Sequence, residues 1–93
     1  MINENIFVNR FYLINTFGTI KIIYIKSYNT KYNCYGADVL WSNDVNTTHH
    51  MLIYDTILMS DIEDNLCKEI YPEEIDILVH RYKLIKIDDY FIV

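Results

Sequence analysis

The chain predicts an α+β fold: an antiparallel β-meander followed by two short helices and a closing C-terminal strand, all in one small domain. Three observations carry that expectation. Up to about residue 41 the sequence is built of short runs rich in Ile, Val, Tyr and Phe, punctuated by Asn, Thr and Gly, the pattern of strands joined by tight turns. From Ser60 to Tyr82 (SDIEDNLCKEIYPEEIDILVHRY) four-residue apolar spacing replaces alternation, as in helices. Leu84–Val93 (LIKIDDYFIV) then returns to β character and ends in an apolar run. Ninety-three residues suit a single domain, 1–93, burying roughly 60–65% of its unfolded surface. With 52% hydrophobic and 23% charged residues the balance is globular rather than disordered.

Ile6–Ile14 (IFVNRFYLI) reads as the first strand, with Met1–Asn5 as a frayed or edge segment. Asn15–Gly18 supplies turn residues, Gly18 being able to take a positive φ at little cost, so a hairpin follows. Thr19–Tyr28 (TIKIIYIKSY) is the clearest strand: Ile20, Ile22, Tyr24, Lys26 and Tyr28 share one face, and Lys21, Ile23 and Ile25 the other. Its apolar middle on both faces marks a central strand covered from both sides. Asn29 and Thr30 turn the chain into Lys31–Trp41, where Tyr35, Ala37, Val39 and Trp41 alternate with Gly36, Asp38 and Leu40, a third strand bulged near Gly36. Ser42–Thr48 (SNDVNTT) is a loop by composition. His49–Met59 reads as a fourth strand; Leu52, Thr56 and Met59 also fit helical spacing, so a helix starting at the threonines is the competing assignment.

Ser60 with Glu63 has the form of a capping box and starts the first helix, whose buried stripe is Ile62, Leu66 and Ile70 with Cys67 at its edge. Pro72 opens the second helix, since the first helical position needs no N–H. Its apolar face is Ile75, Leu78, Val79 and Tyr82. Both helices need a sheet to bury against.

Charge is concentrated in the same stretch. Asp61, Glu63, Asp64, Glu69, Glu73, Glu74 and Asp76 face one base, Lys68, for a net charge of −6 between residues 61 and 76. Acids near helix starts offset the macrodipole, which accounts for part of the pattern. The remainder suits steering toward a basic surface, of the kind found on proteins that hold DNA or RNA. These seven acids are the candidate partner-binding residues.

Other chemistries find less support. Adjacent His49 and His50 on a strand would point to opposite faces, a geometry unsuited to one metal ion, and His80 falls in the last turn of a helix. Cys34 and Cys67 lack the spacing of a zinc or redox motif and read as two buried thiols, with a single disulfide as the alternative in an oxidising compartment. Two glycines, Gly18 and Gly36, make no phosphate loop. The expectation is therefore a non-enzymatic protein without cofactor or metal. Residues 1–36 carry net +3 with Tyr24, Tyr28, Tyr32 and Tyr35, a stacking platform for single-stranded nucleic acid in an alternative reading. Residues 37–93 carry net −8, which repels phosphate and disfavours direct nucleic-acid binding.

Phe, Tyr, Met, Ile, Asn and Lys, with AT-rich codons, make up 47 of 93 residues against six for Ala, Gly, Pro and Arg, a usage that points to an AT-rich genome such as that of a low-GC bacterium, its phages or a mobile element. In size, acidity and composition the chain resembles the inhibitors that phages and mobile elements deploy against bacterial defence, anti-CRISPR proteins among them. The likeness is one of general character and assigns no residue role. It implies an inhibitor that occupies the nucleic-acid groove or an allosteric surface of a host defence nuclease. A homodimeric structural or regulatory module, assembled through an edge strand or a tyrosine-rich patch, is the other reading. No apolar run approaches the ~20 residues that span a bilayer and no signal-peptide pattern opens the chain, so the expected location is the host cytoplasm, away from membranes.

Overall fold

The computed structural model describes residues 4–87. In chain order these form a 3-10 turn at Glu4–Phe7, β1 (Arg10–Thr16), β2 (Thr19–Asn29), β3 (Cys34–Ser42), β4 (His50–Tyr54), α1 (Asp55–Glu63), β5 (Cys67–Ile70), a 3-10 turn at Pro72–Glu74, α2 (Ile75–Tyr82) and β6 (Ile85–Lys86). The antiparallel sheet has the order β4-β3-β2-β1-β5, and β6 pairs with the last residues of β3, past the stretch that pairs with β4. This is the expected α+β domain of meander, two short helices and closing strand. Met1–Asn3 and the apolar run Tyr90–Val93, assigned above to the closing strand, lie outside the described residues.

The central position of β2 follows from its two apolar faces. Ile23 and Ile25 join Tyr12, Ile14, Tyr35, Val39 and Ile53 on one face, under Leu58 and Ile62 of α1. Ile22 joins Ile70, Leu78 and Leu84 on the other, with Ile75, Val79 and Tyr82 of α2 packed against them. The two helices therefore cover opposite faces of one sheet. Two register shifts bend the β2–β3 pair: Ile22 and Ile23 face Trp41 and Val39, leaving Leu40 extra, and Ile25 and Ser27 face Ala37 and Gly36, leaving Lys26 extra. The bulge expected near Gly36 is present, with its additional residue on the facing strand. Gly36 fits because a Cβ there would stand 2.8 Å from Ser27 Oγ.

The β1–β2 hairpin closes through a two-residue turn, with Thr16 opposite Thr19, Phe17 at φ 53° and Gly18 at φ 83°. Positive φ at both central positions matches the strand twist, but it suits Asn-Gly far better than Phe-Gly. Phe17 is fully exposed and gains no packing in return. Replacing Phe17 by Asn is expected to raise stability by about 1 kcal/mol, the scale of the left-handed penalty for a side chain that cannot bond locally. A melting curve checks this, as a gain of that size moves the midpoint by roughly 4–8 °C in a domain this small.

Three boundaries differ from the sequence expectation. The first strand starts at Arg10 rather than Ile6, because Glu4–Phe7 forms a 3-10 turn that lays Phe7 edge-on against Tyr35 at 5.7 Å. Strand and helix then share the stretch from His49 to Met59: β4 ends at Tyr54, and α1 begins at Asp55, whose N–H donates to Asn33 O at 2.9 Å. Ser60 accordingly lies inside α1, and the capping box with Glu63 does not form. Finally, the stripe Ile62, Leu66, Ile70 is broken. Asn65 adopts φ 60° and Leu66 N–H reaches back to Asp61 O at 2.8 Å, the closure that ends a helix at a left-handed residue. Beyond it the chain becomes β5, with Cys67 buried toward α1 and Ile70 toward α2, while Leu66 stays partly exposed. Pro72 opens a 3-10 turn that leads into α2 at Ile75, and there the Glu74 carboxylate accepts the Tyr71 N–H at 2.8 Å. α2 ends on Lys83 at φ 55°, with Leu84 N–H bonded to Val79 O.

β4 and β5 are the opposite edges of the sheet, so α1 must cross it. Four strand spacings of ~4.8 Å make ~19 Å. Nine helical residues rise ~13 Å, and Asp64–Leu66 supply the rest. The end of α1 is thereby delivered to the β5 edge.

Candidate partner-binding surfaces

The crossover decides where the acids go. Asp61, Glu63 and Asp64 sit at the end of α1, just before β5; Glu69 is on β5; Glu73, Glu74 and Asp76 occupy the turn and first helical residues just after it. One run in sequence thus becomes two groups, at the two ends of a four-residue edge strand, beside helices on opposite faces. Glu63, Asp64, Glu73 and Asp76 are exposed. Two acids have structural work: Glu69 pairs with Arg10 Nη1 at 3.2 Å, and Glu74 holds the Tyr71 N–H. Asp76 lies in the first turn of α2, with His80 and Arg81 in its last, as the dipole favours.

A shallow apolar groove of about 670 Å³ opens between α1, β4 and the β1–β2 hairpin, lined by Phe17, Met51, Ile57 and Leu66 among others, with Lys21 and Asp61 at its polar positions. Leu52 is 75% and Tyr54 59% exposed on the neighbouring edge strand. Exposed apolar side chains grouped in this way mark interaction surfaces more often than isolated ones do.

Asp38 is a residue that the sequence reading passed over. It is buried on β3, with Lys26 Nζ 3.0 Å and His50 Nδ1 2.8 Å from the same oxygen, Oδ1. Against a carboxylate, the imidazole is best held with Nδ1–H donating, which turns Nε2 to solvent. Its other oxygen, Oδ2, is buried without a hydrogen-bond partner among the described residues. The available signal was an acid in the middle of an otherwise apolar strand. Among the described residues no hydroxyl or thiol is hydrogen-bonded to the His50 imidazole, whose Nδ1 is held by Asp38.

Both thiols are free and buried. Burial, reinforced by the Asp61 charge, pushes Cys67 up to about 12, so it is held as the neutral, unreactive thiol. Burial likewise raises Tyr12 to about 12, with Glu69 adding to the shift. Among the described residues no group of three or more His, Cys, Asp or Glu side chains is arranged to hold a metal ion. The tyrosines expected to form a stacking platform are dispersed: Tyr35 is in the core against Phe7 and Tyr28, Tyr28 OH donates to Asp55 at 3.0 Å, and Tyr24 OH donates to Asn9 at 2.8 Å. Tyr32 is the exposed one, with Lys31 Nζ 5.3 Å from its ring centre. Among the described residues no helix is long and apolar enough to cross a membrane. No protein-family model, curated protein or solved structure matches this chain.

Proposed function

We propose that the protein is a non-enzymatic inhibitor that binds the basic surface of a host nucleic-acid-handling complex, a defence nuclease of the kind that anti-CRISPR proteins block, through the acids around its β5 edge. The observation that supports this most directly is the exposure of Glu63, Asp64, Glu73 and Asp76 at the two ends of one short strand. A solvated helix face would need its acids along one helix. These acids instead come from the end of α1 and the residue after it, and from the 3-10 turn and first residues of α2, and together they frame an edge about 13 Å long, four residues at the rise of a strand. Negative charge spread over such an edge steers association with a cationic groove and competes with the phosphates that the groove holds.

The test uses guide-loaded CRISPR effector nucleases as targets and measures association rates at low and high salt, with DNA cleavage as the functional readout. The variant carries Glu63→Lys, Asp64→Lys and Glu73→Lys, leaving out Glu69 and Glu74 because both hold local structure. Association is expected to slow by about tenfold or more and to weaken with salt in the wild type, as exposed charges are screened beyond ~8 Å at physiological ionic strength. The thermal midpoint should stay within a few degrees. Unaltered association together with a lowered midpoint would show the acids to be structural and would remove this reading.

A further inference from the structure

The two edges of the sheet are built differently. β5 carries Lys68 and Glu69, and Glu69 is tied to Arg10 of the neighbouring strand. Charges of this sort keep an edge from pairing with another chain. β4 (HMLIY) has no Lys, Asp, Glu or Pro, and its register against β3 runs without a bulge. Its hydrogen-bond parity is set at both ends, where Val39 N–H donates to His49 O at 2.7 Å and Asp55 N–H donates to Asn33 O at 2.9 Å. In an antiparallel ladder this turns the backbone groups of Met51 and Ile53 toward β3 and those of His50, Leu52 and Tyr54 outward. The outward His50 carbonyl accepts from the Thr48 hydroxyl at 3.0 Å, and the Tyr54 carbonyl faces the first turn of α1. Leu52 N–H and C=O have no partner among the described residues.

We propose that β4 is a homodimer seam, at which a second copy of this chain adds antiparallel about a two-fold axis through Leu52 and joins the two sheets into one. The axis makes Leu52 its own hydrogen-bonded mate, each N–H donating to the other copy's carbonyl, and sets each Tyr54 N–H toward the other copy's His50 carbonyl, which keeps a second lone pair. Apolar side chains flank the seam on both faces, Leu52 and Tyr54 on one, beside the His50–Asp38 pair, and Met51 and Ile57 on the other. The charge distribution selects a second copy as the occupant. The net charge is −5, so two copies repel, but Glu63, Asp64, Glu69, Glu73, Glu74 and Asp76 belong to the segment around the opposite edge, which lies ~19 Å from β4 across four strand spacings, while Asp61 lines the groove beside β4 together with Lys21. Lys21 and Lys26 stand on the middle strand, and Lys86 on β6. Joining at β4 sends both acidic edges to the far ends of the dimer, beyond the screening length, whereas joining at β5 would set them face to face. The inference stands on the edge geometry and does not depend on the acids having a partner.

Sedimentation velocity over about 1–100 µM is expected to show a species of twice the 11.2 kDa chain mass. Leu52→Lys should be monomeric with an unchanged circular dichroism spectrum, because the side chain is exposed and its N–H serves no bond to β3. Register is read with Leu52→Cys and Met51→Cys. Hydrogen-bonded antiparallel partners lie about 5.5 Å apart at Cα, within disulfide range, so mild oxidation should cross-link position 52 and leave position 51 uncoupled. A wild type that stays monomeric throughout, a Leu52→Lys variant that still dimerises, or equal cross-linking at both positions would overturn the proposal. So would a monomer whose Leu52 amide is protected from hydrogen exchange, since the edge would then be covered from within the chain.

Discussion

Leu58→Ala is expected to lower the unfolding free energy by about 2–5 kcal/mol, while Leu66→Ala changes it by less than about 1 kcal/mol. Leu58 is fully buried, at 0% exposure, where α1 crosses the sheet, and deleting its side chain leaves a cavity among Ile23, Ile53 and the other residues of that face. Leu66 is 38% exposed just after the helix has closed. A helix running from Ser60 through Ile70 predicts the reverse order, with Leu66 in the buried stripe and Leu58 ahead of the helix. Urea unfolding of the two variants decides between them. Ser60→Ala gives a further check: within α1 alanine is the better helix former and the change should be neutral or slightly stabilising, whereas loss of a cap would cost about 1 kcal/mol.

The second large effect is alkaline destabilisation. Cys67 is raised from 9.0 to about 12 and Tyr12 from 10.0 to about 12, so the folded state keeps two protons that the unfolded chain releases. Because the unfolded state binds fewer protons across this interval, stability falls as pH rises through the unfolded values and the loss is complete above about 12. At 1.36 kcal/mol per unit, the two groups together should remove about 4 kcal/mol between pH 8 and pH 11, about two thirds of it from Cys67. Unfolding free energies of the wild type and Cys67→Ala at those two pH values test the assignment. The variant starts lower but should show less than half of the drop attributed to this pair. An equal drop in both proteins would mean that Cys67 ionises as freely in the folded chain as in the unfolded one.

Much of the sheet was legible residue by residue. The Asn-Thr-Phe-Gly turn, the two-faced apolar middle of β2 and the loop rich in Ser, Asn and Asp each carry a local signal whose physics is complete within a few residues. Besides the late start of β1 at Arg10, the differences lay between Tyr54 and Ile70. Alternation and helical spacing overlap there, and a four-residue stripe of Ile62, Leu66 and Ile70 is also what a helix end, a left-handed Asn and an edge strand produce when only the outer two residues point inward. Asn65 was the available stop signal, outweighed by the capping pattern at Ser60 and Glu63. For the candidate surfaces the legible part was chemical identity. The seven acids could be named, but not their division between the two ends of β5, and Asp38 could be seen without its partners Lys26 and His50.

Sequence by itself determined the class of this domain, the central place of β2 and the concentration of acids between Asp61 and Asp76, because periodicity, turn chemistry and charge are properties of neighbouring residues. Tertiary structure alone decided that the helices take opposite faces, that Cys67–Ile70 becomes a strand and that β4 is left as the uncharged edge. The reason is the demand of the sheet for partners. β1 needs its second row of hydrogen bonds satisfied, and Cys67–Ile70 meets that need in a pairing with residues 11–14 that no local pattern encodes. Once β5 is placed at that edge, α1 has to cross one face to reach it, and Ile70 with α2 is left to cover the other.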